Sequence, residues 1–574
     1  MASMIVDTLK SEVVKILKDL GIETPEATFE HPAKLSHGDY STNVALSYAK
    51  QLEKKPRELA EQIVRYIELN KPGFVEKVEI AGPGFINFHL SKEFFGESVS
   101  SILRQAQDAG KNKIFSGRKV MVEFTDPNPF KEFHIGHLMS NAVGESVARI
   151  FEFHKAKVLR ACWQGDVGLH VAKAIWGMQQ KIKKLNVDVS SESITDWGEV
   201  YALGSEKYES DEIAKKEINI LNKIIFEKSD NEVQKLYLAG RRVSLEHFEE
   251  IYELLDTKFN YYFFESIEGR DGQKVVEANI GKVFEKSEGA IVYKGEKKGL
   301  HTRVFINSQG LPTYEAKELG LNKAKFRKEP DIDTSIIVTA NEQSDYFKVI
   351  LAVMAEVLPK IAKRTKHLAH GMLRFAAGKM SSRKGNVIRG EDLIGRIEGM
   401  VLEKMGFREF SLEERKEISK IVAIGAIKYS ILRQAIGGDI IFDFDKSISF
   451  EGDSGPYLQY SYVRAQSVLE KAKNIGIEPP VDIRCLQDWK TTSLERMLYR
   501  FPEVVERAGS EYAPHYVTHY LTELAGIFNG WYAQGKIVDA TDPTSPYKLA
   551  LTSAFAIVMK NGLHLLGIKV PERM

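Results

Sequence analysis

Between Lys119 and Trp163 this chain of 574 residues commits itself to a parallel sheet. Lys119-Val120-Met121-Val122-Glu123-Phe124 reads as a short buried strand, and the loop Thr125-Asp126-Pro127-Asn128-Pro129 follows it. A helix is predicted from about His134 to Lys155, then a second strand from Val158 to Trp163. Strand, loop, helix and strand in this order form the first crossover of a doubly wound nucleotide-binding sheet, in which ligands sit at the carboxyl ends of the strands. The fold class expected is therefore α/β, with a Rossmann-type parallel sheet at its centre.

The length exceeds what one core serves and implies roughly three or four domains. Residues 1–115 read as a separate α/β unit. A helix opens it, helices run to Glu53 and from Pro56 to Leu69, and strands Val75–Ile80 and Phe85–Leu90 flank the turn Gly82-Pro83-Gly84. The charged stretch Asp108–Arg118 is the linker to the sheet domain, expected at 116–385. A mainly helical insertion at about 175–285 interrupts that domain, and the sheet pattern resumes around Val304 and at Ser335–Ala340. A connecting helical region is expected at 386–450 and a helical bundle at 451–574.

Composition narrows the class. Hydrophobic residues make up 43% and charged residues 28%, which excludes a disordered or fibrous chain. The net charge is only +1, so wholesale polyanion binding is not indicated, although 80 Lys and Arg leave room for a local basic groove. A run such as Glu206–Lys223 is read as a solvated helix face. Cys162 and Cys485 lie in no CxxC or Cys/His cluster, so neither a structural metal nor a disulfide framework is expected, and the composition suits a reducing cytoplasm. The first residues form an amphipathic helix rather than a signal peptide, and no run of about 18 apolar residues predicts a membrane span.

Two motifs carry phosphate chemistry. His134-Ile135-Gly136-His137 stands where a strand gives way to a helix, whose N-terminal N–H groups suit a triphosphate. The histidines are three apart and share a face, and Gly136 lets a flat base approach the backbone. Their ordinary alternative is a capping or core role. The second motif, Lys379-Met380-Ser381-Ser382-Arg383-Lys384-Gly385, is flanked by Gly378 and gathers three cations that an anion such as pyrophosphate would hold together. By itself it would be an exposed basic turn.

Together, in this order and far apart, the motifs resemble the HIGH and KMSKS signatures of class I aminoacyl-tRNA synthetases. The stretch Glu123–His137, with Pro127-Asn128 and Lys131, resembles the form found in the arginyl-tRNA synthetase family. The similarity covers nearly the whole chain, including Trp163-Gln164-Gly165-Asp166-Val167-Gly168, which is similar to the family's GDWG-type segment. The resemblance implies that His134, Gly136, His137, Lys379 and Met380 bind ATP, supplied with Mg2+. It also implies that His134, His137, Lys131, Lys379, Ser381 and Arg383 stabilise the charge that grows as an amino-acid carboxylate attacks the α-phosphorus. That carboxylate is already ionised at neutral pH, so the histidines act as donors rather than bases. A guanidinium needs matching carboxylates and acceptors. By resemblance Glu123, Asn128, Tyr314, Glu318 and Gln343 bind arginine, with Glu318 standing where the family often has the shorter Asp. Lys131 can stand in for the first lysine of the KMSKS loop, so partial redundancy with Lys379 is expected.

The same resemblance assigns the two ends to tRNA. The N-terminal unit, through His37–Asn43 and Gly82–Asn87, is similar to the domain that contacts the tRNA D-loop, with Phe85 stacking on a base and Asn87 bonding to one. Phe85 as a strand core residue is an equal alternative. Gly455-Pro456-Tyr457-Leu458-Gln459-Tyr460, Phe528-Asn529-Gly530-Trp531-Tyr532 and the ending Leu566–Met574 resemble a DALR-type anticodon-binding bundle, with Tyr460, Phe528 and Met574 as contacts. The activity implied is attachment of arginine to the 2′-OH of the terminal adenosine of tRNA(Arg), with arginine activation dependent on bound tRNA, by a cytoplasmic monomer. A small-molecule nucleotidyltransferase would not need the two ends. A non-catalytic tRNA-binding paralogue would be expected to lose His134, His137 or Lys379. A synthetase for another amino acid is the nearest rival.

Overall fold

An amphipathic helix opens the chain. Helix α1 (Ala2–Asp19) buries Ile5, Leu9, Val13, Ile16 and Leu17 on one stripe. The structure, a computed structural model, describes residues 2–185, 197–375, 388–406, 410–486 and 489–574. Strand β1 (Tyr40–Thr42), helices α2 (Val44–Tyr48) and α3 (Pro56–Leu69), and strands β2 (Val75–Ala81) and β3 (Phe85–Leu90) follow. They make an antiparallel sheet of order β1-β3-β2. The expected strands and the helix Pro56–Leu69 are present, the helix expected to reach Glu53 ends at Tyr48, and β1 and helix α4 (Lys92–Gln105) are additional. Ser91 caps α4 by accepting the Phe94 N–H at 3.2 Å.

The central sheet is fully parallel. Its first crossover runs through β4 (Lys119–Glu123), α5 (Ile135–Phe153) and β5 (Lys157–Gln164), close to the expected bounds. Helices α6 (Leu169–Leu185), α7 (Trp197–Ser210), α8 (Glu212–Glu227) and α9 (Asn231–Leu254) form the insertion. The chain then returns as β6 (Tyr261–Phe264), α10 (Glu265–Glu277), β7 (Glu285–Ser287), β8 (Ala290–Tyr293) and β9 (Arg303–Ile306). Helix α11 (Tyr314–Lys328), β10 (Thr334–Ala340), α12 (Ser344–Val357), α13 (Pro359–Ala362) and β11 (Thr365–His370) complete it. The strand order β11-β10-β4-β5-β6 reverses direction between β4 and β10, which puts the ligand crevice beyond the carboxyl ends of those two strands.

Two expectations are corrected here. The helical insertion does not extend to 285, because Tyr261–Phe264 pairs with β5 as an edge of the main sheet. Four residues are too few for alternation to show between long helices; their unbroken aromatic run was the available signal. Val304 does not resume the main sheet either. It lies in a separate antiparallel sheet of order β7-β8-β9, whose first hairpin turns at Glu288 and Gly289, both with positive φ (48° and 80°).

Beyond the sheet come β12 (Leu373–Phe375), α14 (Gly390–Met405), α15 (Leu412–Leu432), β13 (Ile440–Phe442) and α16 (Phe444–Ser447), with β12 and β13 paired in parallel. Helices α17 (Gly455–Asn474), α18 (Ser493–Leu498), α19 (Phe501–Ser510), α20 (His515–Tyr532) and α21 (Ser545–Leu565) form the expected bundle. Helix α5 is buried along nearly its whole length and ties the sheet to this bundle. Ser146 donates to the Leu565 carbonyl at 2.8 Å, and Arg149 donates to the His564 carbonyl at 3.2 Å. The N-terminal unit docks on the same bundle, through Asp39–Arg496 at 2.8 Å and His31–Glu503 at 2.8 Å. No described helix is long and apolar enough to cross a membrane.

Candidate active site

The site starts at the N-terminus of α5. His134 caps this helix: its Nδ1 accepts the Gly136 N–H at 3.1 Å, while His137 Nδ1 accepts the His134 N–H at 3.2 Å. The two rings stack with centroids 3.6 Å apart. Burial, and next the Lys131 ammonium, lower His134 to about 4. Burial and the neighbouring His134 lower His137 well below the usual range. Both imidazoles are therefore neutral at pH 7. Since each Nδ1 accepts, each proton resides on Nε2, which is left to donate. The space at Gly136 is taken by the His134 ring, 3.0 Å from where a Cβ would stand, rather than left for a base.

Lys379, Met380, Ser381 and Arg383 lie outside the described residues. The residues that follow them are anchored at this helix terminus. Ile135 donates to the Ile388 carbonyl at 3.1 Å, Gly390 donates to the Phe133 carbonyl at 2.8 Å, and His134 bridges Arg389. Residues 388–390 are thus held by backbone contacts against the start of α5.

The loop after β4 is strained. Thr125, Asp126 and Phe130 have φ of 78°, 48° and 68°, conformations that such side chains rarely adopt. Ser140 and Ser244 hydroxyls accept the N–H groups of Thr125 and Phe130, and Asp126 Oδ1 accepts the Trp163 N–H at 2.7 Å. This holds the loop against the ends of β4 and β5.

Beneath it lies an acidic pocket. Glu123 is 1% exposed and pairs at 2.5 Å with Lys325, which is fully buried on α11. Glu318 lies two turns before Lys325 on the same stripe of α11 and accepts from Asn322 Nδ2 at 2.8 Å. Burial, and then the Glu123 charge, push Glu318 up to about 8. The same two causes hold Asp126 well above the carboxylate range. A fourth carboxylate, Glu265 at the start of α10, pairs with Lys317 at 2.6 Å. Lys317 lies 5.1 Å from the centre of the Tyr314 ring. Asn128 reaches the same place: its Oδ1 is 2.1 Å from where a Cβ on Gly165 would stand, and Glu265 Oε1 is 3.5 Å from it. Gly165 is thus required for Asn128 and Glu265 to converge.

The structure therefore brings Asn128 to Glu265 and Tyr314 to Lys317, buries Glu123 and Glu318 on β4 and α11, and leaves Gln343 exposed on the turn after β10. Tyr314 is 54% exposed and, with Lys317, Lys173, Tyr201, Asn222 and Phe226, lines an adjoining cavity of about 400 Å3. Lys131 reaches toward that cavity, 5.2 Å from the centre of the Tyr201 ring. Sequence reasoning missed Glu265, Lys325 and Asp126. Glu265 was hidden with β6 inside the supposed insertion, whereas Glu318, Asn322 and Lys325 at i, i+4 and i+7 were a readable polar stripe. Behind the pocket Asp166, fully buried, accepts from Tyr237, Arg241 and both the N–H and hydroxyl of Ser266, which fixes the first turn of α10. Among the described residues no group of His, Cys, Asp or Glu is arranged to hold a metal ion.

The tRNA candidates divide. Phe85 is 41% exposed and is not a core residue, Tyr460 is partly exposed beneath the Arg464 guanidinium, and Met574 packs partly against α14 and α15. Two expectations need correction. Asn87 is buried on the face opposite the core residues Ile86 and Phe88, its Oδ1 accepting at 2.7 Å the hydroxyl of Ser41, the residue directly across from it on β1. Phe528 is fully buried, stacked 3.8 Å from Phe555, and belongs to the bundle core.

Comparison with known proteins agrees with this geometry. Residues 98–444 match the family described as tRNA synthetases class I (R), catalytic domain; residues 458–574 match the DALR anticodon binding domain; residues 7–90 match the arginyl tRNA synthetase N terminal domain. An arginine–tRNA ligase of Halothermothrix orenii is 31% identical, with 99% of each chain covered, and that of Clostridium botulinum is 30% identical over 98% of this chain and 100% of the relative. The arginyl-tRNA synthetases of Plasmodium falciparum (21% identity, 99% of each chain covered, TM-score 0.79) and Thermus thermophilus (24%, 99% of this chain and 100% of the other, 0.75) share the fold. With family matches along nearly its whole length and relatives of 30–31% identity that cover almost all of it, the chain belongs to the class I arginyl-tRNA synthetases.

Proposed function

We propose that the chain joins arginine and Mg-ATP to arginyl-adenylate only when tRNA is bound, and then passes arginine to the 2′-OH of the terminal adenosine of tRNA(Arg). The observation that carries this reading is the cluster of buried carboxylates Glu123, Glu265 and Glu318 in the sheet domain whose helix α5 begins with two neutral, Nε2-protonated histidines. In it, Glu123, Glu265 and Glu318 surround the guanidinium, with Tyr314, Asn128 and Gln343 supplying ring face and polar partners. The arginine carboxylate attacks the α-phosphorus, and the His134 and His137 Nε2–H groups donate to phosphate oxygens as their charge grows. Lys131, Lys379 and Arg383 supply positive charge and Ser381 a further donor. Each such donor is worth ~3 kcal/mol of barrier, about a hundredfold in rate. Phe85 of the N-terminal unit meets the D-loop, while Tyr460 and Met574 lie on the anticodon side.

The test incubates the full chain with each labelled amino acid, ATP, Mg2+ and total tRNA, and follows pyrophosphate exchange with and without tRNA. Charging by arginine alone, with exchange only when tRNA is present, is the expected outcome. Charging by another amino acid would overturn the substrate, and robust exchange without tRNA would overturn the order of binding.

A further inference from the structure

Contacts outside the pocket hold the strained loop after β4. Thr125, at φ 78°, is fastened twice: its N–H donates to the Ser140 hydroxyl at 2.9 Å, and its hydroxyl accepts from Asn141 Nδ2 at 3.0 Å. Asn141 is fully buried on α5, and its Oδ1 accepts the Thr257 hydroxyl at 3.2 Å. Thr125 and Thr257 are buried as well, so a bond lost in this series is not replaced by water.

Thr257 follows the end of α9, in a turn gripped from the C-terminal bundle. Lys428 on α15 is buried, and its Nζ donates to two carbonyls at once. One is Leu255, the C-cap of α9, at 2.6 Å; the other is Gly567, just past the end of α21, at 2.7 Å. The last carbonyls of a helix have no partner within it, so one amine satisfies two helix ends. Burial lowers the Lys428 amine to about 7, and both of its protonation states have the two N–H donors that two carbonyls need. Asp256, between Leu255 and Thr257, has left-handed backbone (φ 56°). Arg149 of α5 donates to its carbonyl and its carboxylate at 2.8 Å each, and Lys569 pairs with its other carboxylate oxygen at 2.9 Å.

We propose that Thr257, Asn141 and Lys428 are positioning residues for arginine activation, forming a buried relay through which the end of the C-terminal bundle holds the Thr125–Phe130 loop in its strained form. This rests on the reading that the loop presents Asn128 to arginine. Strained backbone persists only where its surroundings over-determine it. Loosening the turn at Leu255–Thr257 therefore relaxes Thr125 and moves Asn128, which follows on the same loop. Gly567 and Lys569 stand in the same C-terminal tail as Met574, so the tail assigned to the anticodon side also holds this loop.

The test is aminoacylation kinetics of the full chain. Thr257→Val, which removes the donor and keeps the shape, should lower kcat/KM for arginine about tenfold with KM for tRNA unchanged. Lys428→Met should also lower kcat/KM, and the double variant should lose less than the product of the two effects, because both act through one turn. Should Lys428→Met not fold, Gly567→Ala, whose Cβ would stand 3.0 Å from Lys428 Nζ, disturbs the same link. Phe555→Ala, in the bundle core, should lower the unfolding midpoint without lowering kcat/KM, which separates position from stability. Asn128→Ala tests the underlying reading. If it lowers kcat/KM for arginine while Thr257→Val stays within about twofold of the parent, the relay is overturned and the loop keeps its role. Fully multiplicative losses in the double variant also overturn the relay. If Asn128→Ala is itself without effect, both readings fall.

Discussion

Helices α10 and α11 cross so closely that their glycines touch backbone, and Gly320→Ala tests what that contact does. A Cβ on Gly320 would stand 2.0 Å from the Glu268 carbonyl oxygen, and one on Gly272 would stand 1.8 Å from the Ala316 carbonyl oxygen. Ordinary contact begins at 3.4 Å, so the alanine must part the helices by about 1.4 Å, and a backbone carbonyl cannot rotate aside as a side chain would. Overpacking of this kind costs ~1–3 kcal/mol. Alanine recovers ~1 kcal/mol through its helix propensity, which leaves a net loss of about 0–2 kcal/mol. The catalytic loss should be larger. Glu318 lies two residues before Gly320, Glu265 opens the opposing helix, and the 2.6 Å Lys317–Glu265 pair spans the gap. A displacement near 1 Å at a reacting geometry costs ~100-fold, so kcat/KM for arginine in aminoacylation should fall by about that factor while the chain still folds. Gly399→Ala on α14, where nothing lies within 4 Å, is the control and should leave the kinetics unchanged. Gly320→Ala with kcat/KM for arginine within about threefold of the parent would refute the claim that this helix crossing sets the pocket.

Three further outcomes are expected. Glu145, 3% exposed, bridges Arg149 and Arg160 at 2.7 Å each, so Glu145→Gln leaves two desolvated guanidiniums without their shared anion. Each guanidinium keeps one other carboxylate, Arg149 with Asp256 at 2.8 Å and Arg160 with Glu152 at 2.6 Å, so the loss should be ~1.5–3 kcal/mol, read by chemical denaturation, and a midpoint equal to the parent's would count against it. Phe528→Ala should cost ~3–5 kcal/mol of stability, because its ring is fully buried against Phe555; a weakened tRNA affinity with unchanged unfolding would restore it as a direct contact. Phe85→Ala should do the reverse, raising KM for tRNA with stability within ~0.5 kcal/mol of the parent, since the ring is exposed at the start of β3. Unchanged tRNA kinetics would remove Phe85 from the interface.

The local signals in this chain were strong wherever one element carried the meaning. The crossover from Lys119 to Trp163, the helix Pro56–Leu69 and the strand Phe85–Leu90 were all legible, because apolar periodicity and turn residues act over a few positions. His134 and His137 were legible as phosphate-handling residues for the same reason: a strand end and a helix start lie within one short segment. Tertiary packing decided the rest. Whether an aromatic ring faces water or a neighbour depends on the helix that covers it, so Phe528 and Phe85 could not be ranked from spacing. The strand Tyr261–Phe264 gained its identity only by pairing with β5, about a hundred residues earlier. The pocket's charge was least legible of all. Glu123, Asp126, Glu265, Glu318, Lys317 and Lys325 come from three helices or strands and a loop, and their ionisation depends on distances of a few ångströms in a desolvated space. Sequence order records which charges exist; only the folded chain brings them near enough, and dry enough, to change one another.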